Sequence, residues 1–328
     1  MGKLDVNQRQ RKNSLIELMR FLFALWVLYY HSYIPYKNSF FDQGFLAVEF
    51  FFVLSGFYLV RSIDKYNSLP AKKGLWEFLK HRFLAIAPAF VINEIFVLYY
   101  SFAIDPSPIN FLFGFLWYIR DLFIAMAGIF ILRRYVKKEH AFYALLTLLS
   151  LVALFAFRPV PVIAWPRGPF RSIASIPIGM LAALIPKITL KENDRKKNLI
   201  KRAFIWGGLS LSALCCLLIA CLPDKSELVI YLLVMAIYPM MLYFASCIKF
   251  SLSFFDWLGS LSFPIYAFQC PLRIIEHYFT KDKTLLFIIL IALVLCFSAV
   301  SETLKWRKKR KRLHKKRPQM RSFLCLIF

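Results

Sequence analysis

Acidic residues are scarce in this chain. Its 328 residues hold 18 Asp and Glu against 43 Lys and Arg, for a formal charge of +25. Such an excess can mark a nucleic-acid binder. The distribution argues against that reading: the basic residues fill alternate connecting segments and the C-terminal tail, which is the pattern of the positive-inside bias. Cysteine is sparse as well. The seven, Cys215, Cys216, Cys221, Cys247, Cys270, Cys296 and Cys325, lie in or beside apolar runs without metal-ligand spacing. They give no metal site and read as buried free thiols acting as small apolar residues. The first apolar stretch has no small-residue cleavage site and is not read as a secretory signal peptide. No internal repeat and no separate soluble domain is visible.

What the chain has in abundance is apolar surface. It is 59% hydrophobic and 18% aromatic, with 35 Phe and a mean hydropathy of +0.58. Soluble chains of this length do not carry so much, and the apolar residues fall in blocks near the length that crosses a bilayer. The expected fold class is all-α, a polytopic membrane helical bundle of about ten transmembrane helices. The expected spans are Leu15–Ile34, Phe45–Ile63, Phe83–Ala103, Asn110–Leu132, Ala141–Phe157, Ile173–Ile185, Ala203–Leu222, Leu228–Cys247, Asp256–Tyr278 and Thr284–Leu304. The sixth is short and holds Pro177 and Gly179, as a broken helix or one buried among its neighbours does.

Most of the Lys and Arg lie in the N-terminal segment, the stretches Arg61–Arg82, Arg133–Lys138 and Lys187–Arg202, and the tail Lys305–Arg321. With these inside, both termini are cytoplasmic and the protein is a multi-pass protein of the plasma membrane. The expected organisation is a single transmembrane domain over 1–304 and a basic cytoplasmic tail over 305–328, which anchors the last helix against anionic lipid headgroups.

Ionisable residues within spans are functional suspects, because a charge in hydrocarbon costs at least about 2.5 kcal/mol. Arg20 and His31 share the first span. An eleven-residue step returns to within about 20° of its starting direction and climbs about 16 Å, so the two share one face, one near each membrane surface. His31 and Glu49 are expected at similar depth, about 5–6 Å below the outer surface, on helices joined by a short loop and therefore neighbours. Glu49 then orients an imidazole that serves as general base toward a hydroxyl; the plainer alternative is an interfacial His31 satisfied by water and a Glu49 paired with Lys37. Arg20 is either a phosphate-binding fork for a cytoplasmic ligand or a snorkelling headgroup anchor paired with Glu17. Arg120 and Asp121, in mid-span, line a polar cavity or form a structural ion pair. Arg82 opens the third span from a basic loop that holds a CoA-type phosphate or simply carries positive-inside charge. The outer loop Arg158–Arg171, with Trp165, meets a polar or glycan acceptor or is a stiff connector.

Taken together, these stretches resemble one family, the acyltransferase-3 membrane proteins. The Arg20–His31 spacing is similar to that family's first-helix motif. Gly44 to Phe57, with an acidic residue before a Phe-Phe run and Leu-Ser-Gly-Phe, resembles its second-helix signature. Arg82 to Pro88 resembles its entry to helix three, Leu116-Trp117-Tyr118 its Leu-Trp-aromatic motif, and Gly259 to Tyr266 its late Ser-x-x-x-Tyr segment. The resemblance covers Leu15 to about Leu304. Ala85 stands where the family usually has a second Arg, Gln269 where it often has His, and Glu49 where Asp is usual.

The resemblance implies a ten-helix enzyme that moves an acyl group, commonly acetyl, from acetyl-CoA or another acyl-CoA to a hydroxyl of a cell-surface or lipid-linked saccharide. Acyl-CoA is then a donor substrate, and no permanently bound cofactor or metal is expected. The partners are acyl-CoA, the glycan acceptor and membrane lipids, with no nucleic acid. Carried over by position, His31 is catalytic, and Arg20 and Arg82 face the donor; from their places in the spans, Glu49 joins the catalytic set and Arg120 the donor-binding set. The rival is a polysaccharide or lipid transporter or exporter, against which the missing repeated halves weigh.

Overall fold

The computed structural model describes residues 13–31, 44–104, 117–156, 167–188, 195–220, 227–267 and scattered positions between 274 and 300; side chains at a few helical positions, His31 among them, lie outside the description. Among the described residues every regular element is helical. The order is α1 (Ser14–His31), α2 (Phe45–Asn67), α3 (Ala71–Ala103), α4 (Trp117–Tyr135), α5 (Glu139–Ala156), α6 (Arg167–Leu184), α7 (Arg195–Ala220), α8 (Glu227–Cys247) and α9 (Ser253–Ala267). Helical residues recur at 284–285, 288–289 and 291–297, within the expected tenth span.

A few polar and charged groups are buried within the apolar core, and the outer surface is apolar as well. Glu17, Glu49, Asn93, Asp121 and Ser175 are buried, while Leu148, Leu151, Phe155, Leu214 and Leu218 are exposed. Water would penalise such an outer surface and an apolar solvent would not. By length and composition, α5 and α7 can each cross a membrane, and α3 is a third span if its two halves count as one. Those halves meet at Pro88 at 65°, because proline removes a ladder hydrogen bond and clashes with the preceding turn. α5 and α7 lie at the periphery, on α6 and α8 respectively, which is why their outward faces are so apolar.

α2 is the central helix, packed on α1, α3, α4, α6 and α8. Its Leu46, Ala47, Phe50, Phe52, Val53 and Leu59 are fully buried. The α2–α6 crossing is the most extensive among the described helices, and small residues make it so close. A Cβ on Gly56 would stand 1.9 Å from the Ile176 carbonyl oxygen, and one on Gly179 would stand 1.9 Å from that of Val53. Dispersion and backbone proximity replace hydrophobic burial as the glue between helices in lipid. Tyr238 of α8 adds a hydrogen bond to the Leu46 carbonyl at 3.1 Å, and Ser150 of α5 one to Ala174 of α6 at 2.6 Å.

α1 is held at its base. Asn13 caps the helix, its side-chain oxygen accepting from the Leu15 amide at 3.0 Å, and its amide nitrogen donates to the carbonyls of Ala245 and Ile248 at the end of α8. Ser14 donates to Asp256 at 2.7 Å and accepts from the Leu252 amide at 2.8 Å. These bonds fix the start of α1 against the α8–α9 connection.

Several expected boundaries move, among them that of α7, which starts at Arg195 rather than Ala203. The segment Arg61–Arg82, read as a basic loop, is almost wholly helical: α2 runs to Asn67 and α3 starts at Ala71. α6 starts at Arg167 rather than Ile173, so Arg171 belongs to a bundle helix and not to the outer loop. Pro169 falls in its first turn, where a missing amide costs nothing.

Candidate active site

Glu49 of α2 is completely buried, and both its carboxylate oxygens have partners. Arg171 of α6 donates from Nε to Oε1. Ser175, also of α6, donates to Oε2 at 2.6 Å, and Tyr231 of α8 does so at 3.0 Å. Ser175 and Tyr231 stand 3.2 Å apart. The spacing of four places Arg171 and Ser175 on one face of α6, so that one helix supplies a cation and a hydroxyl to the same carboxylate. The Arg171 guanidinium also lies over the Trp117 ring of α4, 5.0 Å from its centroid. A charge pair buried to this degree is tolerable because both carboxylate oxygens find donors.

Arg20 of α1 pairs with Glu17, Nη1 to Oε2 at 2.7 Å, one turn below. Glu17 is buried and Arg20 is partly exposed. Gly259 of α9 makes room for this pair: a Cβ there would meet Glu17 Oε2 at 2.2 Å. The family-like segment Gly259–Tyr266 is thus packed against the Arg20 helix, a link that the separate motifs do not reveal. Tyr118 of α4 connects the two sites, since both Arg20 and Glu49 lie close enough to act electrostatically on its hydroxyl. Its ring packs against Phe52 at 4.6 Å and Tyr266 at 5.6 Å between centroids.

Arg120 donates from Nε to Oδ1 of Asp121 at 2.8 Å. Asp121 is fully buried, and its Oδ2 has no hydrogen-bond partner among the described residues. Arg171 lies within electrostatic reach of Asp121, and Arg120 and Asp121 lie within reach of Tyr266. Arg171, between Glu49 and the Trp117 ring, therefore reaches from α6 to the start of α4, the helix of Arg120 and Asp121. Arg82 stands apart from these residues on α3: it donates to Ser62 Oγ of α2 and to its own helix at Phe78 O, and its guanidinium lies 3.8 Å from the Phe78 ring centroid.

His31 closes α1, but its side chain lies outside the described residues, as do Lys37, Trp165, Gln269 and the tail. The expected Glu49–His31 pair is therefore not among the described contacts. The expectation of equal depth needs correcting. Gly44 abuts Tyr30, where a Cβ would meet the Tyr30 Cβ at 2.2 Å, and Phe50 stacks on Phe23 at 4.0 Å. Glu49 thus sits nearer the Arg20 end of α1 than His31 does, by about 9 Å along the helices at 1.5 Å per residue. The cause is that α2 has already begun beside Tyr30, at Gly44.

Arg171, Ser175 and Tyr231 were not singled out as partners for Glu49 from the sequence. The legible signal was the four-residue spacing of Arg171 and Ser175; the pairing itself joins residues 122 apart in the chain.

A family model described as an acyltransferase domain matches residues 13–302. No curated protein and no solved structure matches the chain. The match runs from the cap of α1 past α9 and takes in Arg20, Glu49, Asp121 and Arg171, the charged groups gathered in this apolar-coated bundle: the chain belongs to the acyltransferase-3 family of membrane acyltransferases.

Proposed function

We propose that this acyltransferase is an O-acyltransferase of the plasma membrane with both termini inside and ten spans. It takes an acyl group, acetyl in the simplest case, from cytoplasmic acyl-CoA and passes it to a hydroxyl of a cell-surface or lipid-linked saccharide. The observation that carries this reading is the acyltransferase-domain match over residues 13–302, joined to a first helix bearing Arg20 and, eleven residues on, His31.

The chemistry divides between the two ends of α1. Arg20, whose Nη1 holds Glu17, has further donors in its planar fork for a phosphate of the donor. Arg82 adds positive charge from α3, while Arg120 of α4 is committed to Asp121. At the other end His31 accepts the proton of the attacking hydroxyl. The oxygen attacks the thioester carbonyl, the carbon–sulfur bond breaks, and the CoA thiolate leaves and takes up a proton. Glu49 acts from within the bundle: it holds Arg171, and through it α6, against the helix that follows His31.

The test is transfer of label from [14C]acetyl-CoA to glycan, with mass spectrometry of surface glycans from cells with and without the protein. One acyl unit of mass difference is expected. His31→Ala should abolish transfer while the protein still inserts and elutes as wild type. Normal turnover by that variant removes His31 from the mechanism. Activity in detergent that needs a thioester excludes a transporter; a requirement for sealed vesicles and no thioester would replace the enzyme reading.

A further inference from the structure

Two carboxylates are fully buried at the centre of this bundle, and they differ in one respect. Both oxygens of Glu49 are occupied by Arg171, Ser175 and Tyr231. Asp121 has one oxygen on Arg120 and the other on nothing among the described residues. A buried charged acceptor without a donor costs at least about 1–3 kcal/mol, and native proteins keep few such groups without a use. Asp121 does not occupy a random place. It sits on the turn after Trp117 and Tyr118, within electrostatic reach of Arg171 and Tyr266.

The missing partner must be a hydrogen-bond donor. A phosphate is excluded, because it would set a second anion against the carboxylate, so the donor substrate's phosphates do not belong here. A hydroxyl-rich molecule fits. It supplies O–H donors from several positions, as sugars do. The geometry points to Asp121 Oδ2 as the point at which a hydroxyl of the saccharide acceptor is bound, with Arg120 holding the other oxygen so that the carboxylate cannot turn away. This inference rests on the acyl-transfer reading for the identity of the acceptor, but the binding site stands or falls by itself.

The test uses the full chain in nanodiscs, with [14C]acetyl-CoA as donor and octyl glucoside as acceptor, together with a glucoside carrying a diazirine on the sugar. Photolysis of the wild type without donor should place the cross-link on the α4 peptide that holds Trp117 and Asp121. Asp121→Asn should reduce that cross-link and raise the KM for octyl glucoside about tenfold or more, leaving the KM for acetyl-CoA unchanged; a charge-assisted hydrogen bond is worth about that much. Cross-linking to α4 without any acetyl transfer sinks the acyl-transfer reading and leaves the site standing. Cross-linking elsewhere in the wild type, or an Asp121→Asn variant with unaltered cross-linking or unaltered acceptor KM, overturns the site. Because the cross-link map is made on the wild type, it decides the matter even if Asp121→Asn does not fold.

Discussion

Arg171→Met removes a cation while leaving a side chain of similar length in its place. Glu49 is then a fully buried carboxylate with two neutral donors, Ser175 at 2.6 Å and Tyr231 at 3.0 Å, and no counter-charge in contact. Breaking a buried pair on one side costs about 3–5 kcal/mol, because the remaining charge is stranded. That corresponds to roughly two to four decades in the unfolding constant at about 1.4 kcal/mol per decade. The same reasoning makes the double variant Arg171→Met with Glu49→Gln better than the single one. The stranded charge is gone, and the amide oxygen still accepts from Ser175 and Tyr231. Recovery of about 2 kcal/mol or more is expected, since neutral replacements of buried pairs are often close to neutral in stability. The measurement is equilibrium unfolding in mixed micelles with rising dodecyl sulfate, followed by tryptophan fluorescence for wild type, both singles and the double. A loss below about 1 kcal/mol for Arg171→Met, the range of an exposed pair, would refute the claim that this pair is shielded. So would a strictly additive cycle.

Three other outcomes follow from the packing and the α1 site. Gly179→Ala and Gly56→Ala should each destabilise the bundle by about 1–3 kcal/mol, since the new methyl meets a backbone carbonyl at 1.9 Å rather than a movable side chain; wild-type melting of both would show that α2 and α6 are not in contact there. Arg20→Ala should raise the KM for acetyl-CoA about tenfold or more, the worth of a charged hydrogen bond, and an unchanged donor KM and rate would reduce Arg20 to a headgroup anchor. Asn13→Ala should cost about 1 kcal/mol as a lost cap, or more because the same side chain ties α1 to Ala245 and Ile248; circular dichroism melts in detergent would reveal a cap of no consequence.

The helices were legible because an apolar solvent imposes a simple demand. Every buried amide must be satisfied within its own segment, so long apolar runs are helices, and their lengths are bounded by bilayer thickness. α5 and α8 begin and end within two residues of the expected spans. α6 was harder to read. Its first five residues include Arg167 and Arg171, two charges that by hydropathy alone belong to a loop, and the carboxylate of Glu49 on α2 is what makes Arg171 tolerable inside the bundle. The base of α3 was hidden for a related reason: Lys72, Lys73 and Lys80 are exposed along a helix whose other face carries buried Phe78.

Within the candidate site the sequence supplied the chemical vocabulary: a membrane helix with Arg20 and His31 eleven residues apart, an acid before a Phe run, and an Arg-Asp pair in α4. It also supplied the family resemblance that the domain match over 13–302 bears out. It did not supply the pairing. Which acid meets which cation depends on how the helices cross: the glycines at 56 and 179 set the approach of α2 to α6, and Gly259 against Glu17 sets that of α9 to α1. Local sequence fixes what a residue can donate or accept. Only packing between segments more than a hundred residues apart decides that Glu49 is filled with partners while Asp121 keeps one oxygen open, because burial turns an unanswered lone pair from a trivial matter in water into a cost that some group must answer.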